Sequence, residues 1–112
     1  MPNYYLHTLS ADRLQHCYEI APQRVGQYLE AELNHVLEKI KPTDLVLELG
    51  CGYGRILPAL AKKARWVVGI DTSAPSLLYG QKLLNGISNC LLILCYVPRD
   101  SPNACCWTLP IL

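Results

Sequence analysis

The residues of this 112-residue chain whose types and spacing could do chemistry are the run Glu48-Leu49-Gly50-Cys51-Gly52-Tyr53-Gly54 and an acid 21 positions beyond Gly50, Asp71. Glycines at 50, 52 and 54 permit positive backbone dihedrals and remove side chains that would hold a ligand away from the main chain. An aspartate at the end of the following strand stands where ribose hydroxyls are held in α/β nucleotide sites. Each feature alone has a plainer reading, a tight turn that contains glycine or a turn-capping aspartate. At this separation the two favour one nucleoside-containing ligand.

Spacing then bears on which ligand. A dinucleotide loop, G-x-G-x-x-G, would need glycine or alanine at position 55 after Gly50 and Gly52, and that position is Arg55. Glu48, just ahead of the glycines, repels a pyrophosphate and attracts an ammonium. S-adenosylmethionine carries such a group, so it is the expected cofactor, with an NAD(P)-dependent oxidoreductase the disfavoured rival.

These residues need elements to position them. Ser10 is placed to cap a helix over 11–20, with Asp12 in its first turn. Pro22 suits the first turn of a second helix reaching about Lys41, along which Val25, Leu29, Leu33, Val36, Leu37 and Ile40 follow the helical period. Leu45-Val46-Leu47-Glu48-Leu49 reads as a buried parallel strand. A helix over 55–64 follows, with Pro58 mild in its effect if it lies in the first turn and kinking if deeper. The second strand, 65–70, leads to Asp71. Thr72 or Ser73 can cap the next helix, in which Leu77, Leu78, Leu83 and Leu84 are expected to pack inward and which Gly86 is placed to end. Leu91-Leu92-Ile93-Leu94 is the third strand. Alternation of strand and helix implies parallel strands, right-handed crossovers and a three-layer α/β arrangement.

Val46-Leu47-Glu48-Leu49-Gly50-Cys51-Gly52-Tyr53-Gly54-Arg55, followed by Val67-Val68-Gly69-Ile70-Asp71-Thr72-Ser73, resembles the class I S-adenosylmethionine-dependent methyltransferases over roughly residues 22–95. The resemblance implies a Rossmann-like parallel sheet, here its N-terminal half of about three strands with two N-terminal helices. It also implies that Glu48 and the loop hold the methionyl portion and Asp71 the ribose. The expected cofactor-binding set is Glu48, Gly50, Cys51, Gly52, Tyr53, Gly54, Asp71 and Thr72, of which Tyr53 can also serve packing alone. No catalytic base is named.

The chain divides into a helical cover (1–43), a cofactor-binding α/β half-domain (44–95) and an atypical tail (96–112). From Ile87 onward the only charges are Arg99 and Asp100, while four of the six cysteines and Pro98, Pro102 and Pro110 fall there. The tail is expected to be a truncated or out-of-frame continuation, with a hydrophobic cover as the competing view; around 105–109 it could pair only at a sheet edge. The first strand would then show an apolar edge open to self-association.

Hydrophobic residues make up 51% of the chain and charged residues 17%, enough apolar content for a core. A net charge of +1 and no basic aromatic patch suggest a small-molecule methyl acceptor and no nucleic acid. No apolar run approaches the ~20 residues of a membrane span, and no signal sequence is visible, so a cytoplasmic location is expected. Irregular cysteine spacing without C-x-x-C argues for free thiols and no metal. The expected function is a methyltransferase, or alternatively a non-catalytic cofactor-binding or inert fragment of one.

Overall fold

A computed structural model describes residues 8–96 and 107–111. Its elements run α1 (Ala11–Glu19), α2 (Gln23–Leu37), β1 (Leu45–Leu49), α3 (Leu57–Lys63), β2 (Trp66–Asp71), α4 (Ala74–Leu83), β3 (Cys90–Tyr96) and β4 (Trp107–Ile111). The strands lie in the order β1-β2-β3-β4. The first three are parallel, with Leu45 opposite Trp66 and Val67 opposite Cys90, and β4 joins β3 antiparallel.

Local chemistry explains most element ends. Ser73 accepts the Ser76 N–H at 3.3 Å and Pro75 fills the first turn of α4, while Gly86, at φ +93°, takes the chain away after Leu84. Pro58 lies in the first turn of α3, where its missing donor has no partner to lose. Ser10 makes no side-chain cap; instead the Ala11 N–H donates to Ser76 Oγ at 3.0 Å and ties α1 to α4. The second helix stops at Leu37, short of Lys41, and Asp44 then accepts the Lys41 N–H at 2.8 Å in the turn before β1.

Among the described residues, the expected third layer does not form. Side chains alternate between the two faces of a strand, and the strand residues in the core all come from one face: Val46, Val67, Cys90, Leu92 and Leu94. They pack against Leu57, Leu60 and Ala61 of α3 and Leu77 of α4. The cause is topological. Strands are added in one direction, β1 to β2 to β3, so two right-handed crossovers place both helices on the same side. Leu45, Leu47, Leu49 and Trp66, on the other face, remain 72%, 55%, 74% and 45% exposed.

Two further expectations change. Leu77 and Leu84 are buried, but Leu78 and Leu83 are about half exposed, because each lies next to an inward residue and a helix turns ~100° per residue. In α2, Leu29, Leu33 and Leu37 are half-buried, whereas Val25 and Val36 are exposed. The tail supplies an edge strand, beside β3 and on the opposite side of the sheet from β1, with Pro110 opposite Ile93. Thus β1 has a strand partner on one side alone among the described residues.

Candidate cofactor site

The loop leaving β1 is stitched to the end of β2. Ile70 O accepts both the Gly50 N–H at 2.7 Å and the Cys51 N–H at 3.0 Å. Asp71 Oδ2 accepts the Gly52 N–H at 2.7 Å, and its Oδ1 accepts the Ser73 N–H at 2.8 Å. Gly54 N–H closes a turn on Cys51 O at 2.9 Å. Four loop donors are therefore committed internally, which leaves the loop poorly equipped to cradle a pyrophosphate, whose recognition depends on open N–H groups.

Backbone conformation makes this loop glycine-dependent. Gly50, Gly52 and Gly54 have φ of +74°, +58° and +82°. A Cβ at Gly50 would project into open space, where a ligand can approach the main chain, and one at Gly52 would meet Leu14 Cδ2 at 3.1 Å. Gly80 of α4 matters from outside: a Cβ there would strike Tyr53 O at 2.5 Å, so the helix can rest directly on the loop backbone.

Gly50, Gly52, Asp71 and Thr72 line a cleft of about 320 Å³ at the carboxyl ends of β1 and β2. Leu9, Leu14 and Tyr18, from α1 and the residue pair before it, close its opposite side. The cleft is of ligand size and meets the sheet where open α/β folds bind cofactors. A larger hollow of about 610 Å³ lies around Leu84, Gly86 and Cys90, at the amino end of β3. Gln81, Lys82, Asn85 and Ser88 also line it, but it lies at the end of the strands opposite the glycine loop and Asp71, so the smaller cleft is the candidate.

The other expected site residues do not line the cleft. Cys51 and Tyr53 are each 6% exposed and pack inward. Tyr53 makes edge contacts with Tyr18 and Tyr79, and the Arg55 guanidinium lies 4.6 Å from the Tyr18 ring centre. Tyr79 donates from its hydroxyl to Gln15 Oε1, a second tie between α4 and α1. Burial pushes the Cys51 thiol up to about 12, with the Asp71 and Glu48 charges adding to the effect. That thiol is not a nucleophile at neutral pH.

Glu48 shares the covered face of β1 with Val46. Its Oε2 is buried without a hydrogen-bond partner. Desolvation raises its pKa from 4.5 to about 7, with Arg55 opposing and Asp71 reinforcing the shift. Such an unmet carboxyl oxygen beside a nucleoside-sized cleft fits a ligand that brings a cation. Sequence reasoning missed Leu14 and Ser76 as parts of the site, since Leu14 reaches it only through the docking of α1 and Ser76 through the packing of α4.

Among the described residues Cys17, Cys51 and Cys90 carry free thiols, and no cluster of three or more potential metal ligands occurs. Cys105 and Cys106 lie outside the described residues. No described helix is long and apolar enough to cross a membrane.

The fold is a Rossmann-like α/β arrangement of the kind found in a solved methyltransferase structure. A solved structure of the 23S rRNA methyltransferase ErmE is similar with a TM-score of 0.52 and 22% identity, over 63% of this chain and 32% of that one. A dimethyladenosine transferase from Plasmodium falciparum is similar at 32% identity with a TM-score of 0.49, over 55% of this chain and 24% of that one. The chain thus spans about a third of the first structure and a quarter of the second. No protein-family model and no curated protein matches the sequence.

The likeness to ErmE overturns the expectation of a small-molecule acceptor with nucleic acid excluded. A protein with this fold methylates 23S rRNA. A net charge of +1 describes the composition of this chain and does not exclude RNA as a partner of the fold.

Proposed function

We propose that this chain binds S-adenosylmethionine in the cleft between the Gly50–Gly54 loop and α1, as the cofactor-holding part of a methyltransferase. One observation carries the reading: the N–H groups of Gly50, Cys51 and Gly52 are spent on Ile70 and Asp71, while a buried oxygen of Glu48 lacks a partner. Such a site disfavours phosphate and favours an ammonium-bearing nucleoside. Asp71 accepts two N–H bonds, and a carboxylate has about four acceptor positions, so it retains capacity for ribose hydroxyls. Thr72 borders the same end of the cleft, and Tyr18 and Leu14 offer an apolar wall to a base. When bound, the cofactor supplies an electrophilic methyl group; the chain's part is to orient it and shield it from water.

RNA is the acceptor class we carry into this reading, on the strength of ErmE's acceptor. A second reading, cofactor binding without turnover, draws support from the cleft's lining, where Asp71 and Tyr18 are the titratable groups and Asp71 is already engaged by two N–H donors. Isothermal titration with S-adenosylhomocysteine and with NAD tests the cofactor assignment. Binding of the first and not the second is expected, and tight NAD binding would overturn it. Transfer of labelled methyl groups to RNA separates the two readings.

A further inference from the structure

Glu48 and Asp71 are the carboxylates nearest the loop, and they differ in how their oxygens are used. Both oxygens of Asp71 accept backbone N–H groups. Glu48 keeps part of its surface exposed yet leaves Oε2 buried and unpartnered, two residues ahead of Gly50, where the loop opens to space. An ionised carboxylate in that position has neither water nor a donor on one oxygen, so the proton is its cheapest partner until a cation arrives.

Resting on the cofactor reading above, we infer that ligand uptake here is proton-coupled: an incoming ammonium displaces to solvent the proton that partners the buried Glu48 carboxyl in the free protein. The O–H bond of the Glu48 carboxyl breaks, the proton passes to water or buffer, and the carboxylate left behind faces the ligand's ammonium. No redox partner enters the balance.

The surroundings agree with this assignment. Arg55, whose guanidinium lies over the Tyr18 ring, favours ionisation but does not outweigh the cost of burial. Asp71 opposes ionisation by like charge from β2. Cys51 from the loop and Cys90 from β3 are raised thiols that stay neutral in this range, so neither contributes a charge that competes with Glu48. The device also discriminates between ligands: a nucleoside without an ammonium gains nothing from ionised Glu48.

Titration calorimetry between pH 6 and pH 8, in two buffers of different ionisation enthalpy, tests the coupling on the full chain. The probes are S-adenosylhomocysteine and 5′-methylthioadenosine, which keeps the nucleoside and thioether but lacks the ammonium. For a group titrating at about 7 in the free protein, S-adenosylhomocysteine affinity should rise about tenfold across this range. Proton release should approach one per ligand toward pH 6, and methylthioadenosine affinity should stay flat. Glu48→Gln should bind S-adenosylhomocysteine with no such slope. If S-adenosylhomocysteine binds with flat affinity and no proton release, or if both ligands share one slope, the inference is overturned and the cofactor reading stands. Absence of S-adenosylhomocysteine binding at every pH overturns both. The wild-type profile decides even if the variant fails to fold.

Discussion

Val67 is completely buried, while Trp66, its neighbour in sequence, keeps 45% of its surface exposed. The same contrast runs across the sheet. Val46 and Leu92 lie against α3 and α4, whereas Leu45, Leu47 and Leu49 face outward from the other side. Both faces are built from aliphatic side chains, so hydrophobicity does not distinguish them. The crossovers do, since a chain that adds its strands in one direction has helices on one face only. The site follows the covered face: Glu48 projects into it, and the loop that emerges from β1 is supported there by Gly80 and Leu57.

The hardest test of this contrast is to remove volume from the covered face. Leu57 is wholly buried and touches the loop glycine Gly54 as well as Gly69. Leu57→Ala should cost ~3–4 kcal/mol through lost burial and the cavity left behind. In so small a domain this should lower the urea midpoint severely or abolish the transition. A loss under ~1 kcal/mol would mean that the core around α3 is not packed as described.

Asp71→Ala comes next. It removes the acceptor for the Gly52 and Ser73 N–H groups, loosening both the loop and the start of α4. Affinity for S-adenosylhomocysteine should fall by ~1.5–3 kcal/mol, about ten- to a hundredfold. Unchanged affinity would remove Asp71 from ligand binding and leave it a purely structural clamp.

Glu48 sharpens the comparison through pH. Its folded-state pKa, about 7, lies above the ordinary 4.5 because burial disfavours the charge. Between these values the folded state holds a proton that the unfolded chain has lost. The stabilising contribution is therefore fully present below pH 4.5 and is lost as pH rises through 7. Glu48→Gln keeps the group neutral, so its urea midpoint should decline less between pH 5 and pH 8 than the wild type's. Equal slopes for the two proteins would show that Glu48 is not desolvated.

The parts legible in the sequence are those set by neighbours along the chain. Gly50, Gly52 and Gly54 announce the loop, and Asp71 meets it at 2.7 Å because a strand of fixed length separates the acid from its turn. Ser73, Pro75 and Gly86 mark the limits of α4 for the same reason. Long-range docking is not written so locally. The Asn89 side-chain amide donates to Ala61 O at 2.8 Å and Ala64 O at 3.3 Å, capping α3 from 25 or more residues away. No pattern around either segment signals that bond. The placement of Leu14 beside Gly52 and of β4 beside β3 likewise depends on tertiary contacts that periodicity does not encode.

The smallest expected effect is the most telling about the bare face. Leu47 lies in the middle of β1, between Leu45 and Leu49, and is 55% exposed. Truncating a side chain that is already largely hydrated loses little transfer energy, so Leu47→Ser should change stability by less than ~0.5 kcal/mol. The same substitution should reduce the binding of an apolar fluorescent dye, because it interrupts a continuous stripe of leucine on the sheet surface. Equal chemistry on the two faces would then give unequal costs, large at Leu57 and near zero at Leu47. If Leu47→Ser instead destabilises the protein as Leu57→Ala does, the outer face is covered in solution, and the one-sided packing of the sheet is refuted.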